Sequence, residues 1–114
     1  MTLRVCEIRS VVGEYYNVPK HIMCGPSRKW KHCRPRMIAM ALCREHTNQS
    51  LPAIGVLFGG RDHTTVLHAV KRVPQILAGS EKVTADLVSI RHLLSLVAAN
   101  KMPGMLPVEY GEAA

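Results

Sequence analysis

The stretch SLPAIGVLFGGRDHTTVLHAVKRV, residues 50–73, decides how this chain is read. Ser50 is a helix-capping residue, and Pro52 falls in a first turn, where a missing N–H breaks no bond. Leu51, Ile54, Leu57 and Phe58 follow at helical spacing until Gly59-Gly60 interrupts them. Asp62 then offers a second cap, and Val66, Val70 and Val73 form one apolar face of a helix expected to end at Pro74. Two short helices across a tight glycine-containing turn have the dimensions of a helix-turn-helix; an ordinary helical corner is the plainer alternative. The outward chemistry of the second helix favours the former. Its first turn presents Asp62, His63, Thr64 and Thr65, followed by His68, Lys71 and Arg72. A recognition helix reads base edges with its N-terminal residues. Threonine methyls suit the thymine methyl group, hydroxyls pair with either edge, and an aspartate accepts from cytosine N4. Asp62 is equally well placed as a simple N-cap, and one residue can do both.

Outward from this motif the pattern stays helical. Val5, Ile8, Val12 and Tyr15 recur at spacings of three and four until Asn17 and Pro19 stop them. After Pro35, the residues Ile38, Ala41 and Leu42 predict another helix, closed by Thr47-Asn48. A last helix is expected from about Ser80, with Val83, Leu87, Ile90, Leu94 and Val97 as its stripe. Residues 101–114, with Pro103-Gly104 and Pro107, read as a flexible tail, leaving 1–100 as the domain. No segment alternates with period two for long enough to argue a strand, and no internal repeat is present. The fold class is all-α.

Composition narrows the function. At 114 residues and 47% apolar types the chain is one domain with a real core. A single Phe and a single Trp require that core to be aliphatic. Fifteen Lys and Arg against eight acids give a formal charge of +7. Seven of the bases lie between Lys20 and Arg44, a run without one acid, while Gly25, Pro26, Ser27 and Pro35 mark its first part as loop. No apolar run reaches the roughly 20 residues of a membrane span, and Glu7 and Glu14 argue against a signal peptide. The expected location is the cytoplasm. Cys6, Cys24, Cys33 and Cys43 are spaced too irregularly for a metal knuckle, and His63 and His68 are five apart rather than four. Free thiols and no metal or other cofactor are the expectation.

The stretch from Arg34 to Val73, and above all GGRDHTTVLHA at Gly59–Ala69, resembles the C-terminal DNA-binding domain of the bacterial replication initiator DnaA. The likeness weakens backwards to Glu14-Tyr15-Tyr16 and forwards through the last helix. It implies a small, Trp-repressor-like helical domain that binds duplex DNA at A·T-rich nonamers of the TTATNCACA kind. It also implies site residues. Asp62, His63 and Thr64 would read bases in the major groove, with Thr65 and His68 on adjacent phosphates or bases. Ser50, Leu51 and Pro52 would meet the strand at the start of the motif. Arg36, Arg44 and Arg61 would contact the backbone, and Arg28 would enter the minor groove. No G-x-x-x-x-G-K-[ST] phosphate loop occurs, so ATPase chemistry is not expected. The reading is a stand-alone, non-enzymatic DNA binder on the bacterial or phage nucleoid, regulating replication or transcription and competing with a full-length initiator.

Two departures from the family fall near the loop: Trp30 between Lys29 and Lys31, and Met37 after Arg36. An indole is usually buried, so Trp30 is expected to pack against the core rather than lie along DNA. A different class of function, a protein-docking module or a binder of anionic surfaces that has kept the initiator fold, would leave the polar GGRDHTT run without a purpose.

Overall fold

The computed structural model describes residues 3–100 and is helical throughout, with no strand among them. Six helices follow in order: α1 (Val5–Tyr16), α2 (Lys20–Met23), α3 (Trp30–His46), α4 (Leu51–Val56), α5 (His63–Ala78) and α6 (Glu81–Ala99). The tail assigned to 101–114 lies outside the described residues.

Each boundary has a local cause. The Glu7 carboxylate accepts from the Arg4 backbone N–H at 2.7 Å, satisfying a donor at the start of α1. Asn17 ends the helix in the left-handed region at φ 62°, which asparagine tolerates. Ser50, Asp62 and Ser80 cap α4, α5 and α6, each side chain accepting from a backbone N–H of the first turn.

Two predicted boundaries are corrected, and proline is the reason for both. Helix α3 begins at Trp30 rather than after Pro35, and α5 runs through Pro74 to Ala78. A proline inside a helix forfeits the hydrogen bond to the carbonyl four residues back. At Pro35 that is Lys31 alone, near the open end of α3, and the ring is buried. At Pro74 the ring lies exposed, while Val73 is buried and Ile76 and Leu77 pack against the core beyond it. Burial of the Pro35 ring itself with the residues after it, and apolar burial on both sides of Pro74, outweigh one lost bond.

Helix α3 is the central element, packed along α1 and α5 and touching α2 and α4; α6 lies across α1 and α5. The core is aliphatic as expected: Ile8, Val12, Ile38, Ile54, Val66 and Ile90 are completely buried, with the lone Phe58 among them. Polar ties join the outer elements. Asp86 of α6, only 6% exposed, accepts from the hydroxyls of Tyr15 and Tyr16 at 2.9 Å each and from Lys82 at 3.1 Å. Burial alone would raise its carboxyl, yet the bonds from Tyr15, Tyr16 and Lys82 hold it below the usual carboxylate range. Burial and the bond to Asp86 push the Tyr16 phenol up in turn. The Arg9 guanidinium donates to the Leu57 carbonyl, fastening α1 to the turn after α4.

Candidate nucleic-acid interface

The interface is built on the approach of α4 to the start of α5. A Cβ on Gly55 would stand 2.1 Å from the Arg61 carbonyl oxygen, so only glycine permits the contact. The Arg61 N–H donates to the Gly55 carbonyl at 2.8 Å and closes the turn. Between them Gly59 takes φ 89°, where a side chain would also collide with the Cys24 carbonyl. The two helices are thereby held in a helix-turn-helix.

Helix α5 divides cleanly. Val66, Ala69 and Val73 are buried and Val70 is half-buried. Asp62, His63, Thr64, Thr65, His68, Lys71 and Arg72 are all exposed. Asp62 accepts from the Thr64 backbone N–H at 3.0 Å and, through the same oxygen, from the Thr64 hydroxyl. Those bonds, the hydroxyl's first, keep its carboxyl below the usual range. Its other oxygen lies 3.6 Å from Nδ1 of His63. The cap thus orders three side chains into one rigid, outward first turn. At the start of α4, Ser50 accepts from the Ala53 N–H at 3.2 Å, Pro52 is exposed and Leu51 is half-buried. Arg44 is exposed beside them and donates to the Gln49 carbonyl at 3.1 Å.

The basic loop is organised by two of the arginines read as backbone contacts. Arg36 is 5% exposed and donates to three carbonyls: Met23 at 2.8 Å, Ser27 at 2.9 Å and Ile22 at 2.9 Å. Arg61, half-buried, donates to Gly25 at 2.6 Å and to Phe58. The surface position expected for Arg36 is therefore corrected. Its fork satisfies carbonyls left open at the end of α2 and in the loop behind it, a service no short side chain could render. Burial, then the neighbouring charge of Arg36, lower the Arg61 pKa from its ordinary value. Neither arginine pairs with a carboxylate among the described residues.

These clamps fix the relation between loop and recognition helix. Arg28 and Thr65, with Arg36 and Arg61 at the base, line one open trough of about 540 Å³ between loop and α5. A second concavity of about 320 Å³ continues from it past Met37 and Met40 to His68. The structure thus brings together Arg28, Arg61, Thr65 and His68 along one groove. Arg28 is exposed and makes no hydrogen bond or ion pair with any described residue. Trp30 corrects another expectation: it is 77% exposed at the first turn of α3 instead of packed. The clamp role of Arg36 was missed because nothing in a basic run distinguishes an arginine that faces carbonyls from one that faces water.

The helix-turn-helix profile described as "Bacterial dnaA protein helix-turn-helix" matches residues 5–73. The chain belongs to this family. It is 42% identical over 92 residues to the chromosomal replication initiator protein DnaA of Ruegeria pomeroyi, covering 81% of this chain and 20% of that protein. The same holds for the DnaA of Roseobacter denitrificans, and the Cereibacter sphaeroides protein is 43% identical over 88 residues, 77% of this chain and 19% of its own. The chain spans about a fifth of the length of these curated relatives. The DnaA helix-turn-helix is a DNA-binding domain, and in this DnaA-family chain α4 and α5 are its two helices. No helix among the described residues is long and apolar enough to cross a membrane.

Proposed function

We propose that this DnaA-family domain binds duplex DNA sequence-specifically, at A·T-rich nonamers of the initiator-box kind. The observation that carries the reading is the first turn of α5, where exposed polar residues stand on a helix whose opposite face is buried. His63, Thr64 and Thr65 contribute nothing to the core, and with Asp62 they present the donors, acceptors and methyls that major-groove readout needs. His68 and Thr65 extend the contact to neighbouring phosphates or bases. Ser50, Leu51, Pro52 and Arg44 meet the strand where α4 begins, and phosphate contacts there set register without carrying sequence. Arg28 enters the adjacent minor groove, whose readout separates A·T from G·C. The chain acts without catalysis, in the cytoplasm on the nucleoid. Through this domain it occupies boxes, and so competes with full-length initiator or regulates promoters that carry boxes.

Footprinting on a duplex with one nonamer tests the reading, and protection confined to the nonamer is the expected result. Uniform or absent protection would contradict it. Salt titration of the same complex sharpens it. With Arg36 internal, the other six bases between Lys20 and Arg44 are exposed, and three to five of them are taken to meet phosphates. The slope of log K against log salt should then lie at about −2.7 to −4.5. A slope near zero would remove the basic loop from the interface.

A further inference from the structure

The loop and the start of α3 expose five side chains in a short span: Arg28, Lys29, Trp30, Lys31 and Arg34. Four are cations. The fifth is the only tryptophan of the chain, 77% exposed and without a ring partner among the described residues. An indole in that position gives the fold nothing, since α3 is held by Ile38, Ala39 and Leu42 further along. It is not carried on a loose segment either. The Ser27 carbonyl is held by Arg36 at 2.9 Å, the Gly25 carbonyl by Arg61 at 2.6 Å, and the Ser27 hydroxyl by Nδ1 of His32 at 2.7 Å. The base from which Lys29 and Trp30 project is therefore fixed against the recognition helix through Arg61, and Trp30 stands two residues beyond the trough-lining Arg28.

A large apolar ring ringed by cations matches a surface that alternates negative charge with apolar rings and sugars, which is the chemistry of nucleic acid. On an intact duplex the base faces are stacked and out of reach, whereas the deoxyribose walls of the minor groove are open to an apolar side chain. We infer that Trp30 is a further DNA-contacting residue, its indole packed against a deoxyribose wall of the minor groove beside Arg28. This rests on the duplex-binding reading above. The contact lengthens the footprint beyond the bases read by α5. It also replaces part of the salt-sensitive affinity of a basic loop with apolar burial, which salt does not screen. Covering one ring face, on the order of 50 Å² of apolar surface, corresponds to about a tenfold gain in affinity.

The test titrates the whole chain with a boxed duplex, a scrambled duplex and the matching single strand. It follows tryptophan emission and, separately, the anisotropy of labelled DNA, for wild type, Trp30→Ala and Trp30→Phe. Emission should change with the boxed duplex at the same midpoint as anisotropy. Trp30→Ala should weaken binding about tenfold, Trp30→Phe should recover most of it, and neither should alter the melting temperature. Binding by anisotropy with unchanged emission, and wild-type affinity in Trp30→Ala, would overturn the inference while leaving the duplex reading intact. An emission change confined to the single strand would overturn it in favour of base stacking. No anisotropy change with the boxed duplex would overturn both.

Discussion

The first turn of α5 and the basic loop before α3 are both polar, both exposed in part, and both border one trough, the former through Thr65 and the latter through Arg28, yet they are built on opposite principles. In the first turn of α5 every polar partner is local. Asp62 bonds to Thr64 two residues away, and the remaining side chains are left outward because Val66 and Ala69 take the inner face. In the loop the partners are distant. Arg36 reaches back to carbonyls 13 and 14 residues earlier, and Arg61 reaches across 36 residues to Gly25. The outward first turn of α5 is a product of helix capping, and the loop beside it is a product of tertiary clamping. Arginines that look alike in sequence therefore have different surroundings: Arg36 is interior, Arg61 is half in, and Arg28 is exposed with no partner among the described residues.

Removing a clamp is the most damaging way to separate the two regions. Arg36→Ala removes a buried cation's bonds to the Met23, Ser27 and Ile22 carbonyls and should lower unfolding stability by about 3 kcal/mol, read by urea denaturation. Wild-type stability together with a loss of DNA affinity would return Arg36 to the surface role and erase the contrast. Asp86→Asn is the matching control far from the trough. The folded-state pKa of Asp86 lies below the value of about 3.9 expected in the unfolded chain, so acid protonates the unfolded chain first. Its contribution is complete above about pH 4 and fades as pH falls through the folded value. Asp86→Asn should accordingly be less stable at neutral pH by roughly 1–2 kcal/mol and show a flatter acid limb, with box affinity unchanged. An acid limb as steep as wild type would mean that the tyrosine bonds do not hold the carboxylate in solution.

Smaller effects distinguish the two exposed arginines. Arg44→Ala should weaken boxed and scrambled duplexes equally, by about 0.5–1 kcal/mol, because a phosphate has no sequence identity. Arg28→Ala should lose a similar amount only where A·T pairs occupy one end of the box, and little where G·C replaces them. Binding isotherms on matched and end-substituted duplexes decide this. Identical profiles for the two variants would place Arg28 on the backbone and shorten the site to what α5 reads.

How much of this was legible in the sequence follows the same division. The capped helices, the glycine turn and the alternation of Val66 and Val73 with Thr64, Thr65 and His68 depend on neighbours within four residues, and they are legible, although Ala69 rather than Val70 takes the fully buried place. The start of α3 and the end of α5 were misjudged because proline's local veto was weighed without the burial of Pro35 itself or the packing of Ile76 and Leu77 beyond Pro74, which depend on other helices. Arg36 and Trp30 exchanged their expected environments. The charged residue found carbonyls inside and the aromatic one found only solvent, and neither partner is written near it in the chain. Asp86 gave no signal, since its tyrosines lie some 70 residues away.

The central claim is that the first turn of α5 discriminates sequence in the major groove while Arg44 and the start of α4 anchor. The most direct measurement is the affinity of wild type and His63→Ala for boxed and scrambled duplexes at one salt concentration. Wild type should favour the box, and His63→Ala should lose about 1–3 kcal/mol on it with little change on the scrambled duplex. Equal losses on both would show that His63 anchors rather than reads, and would contradict the account.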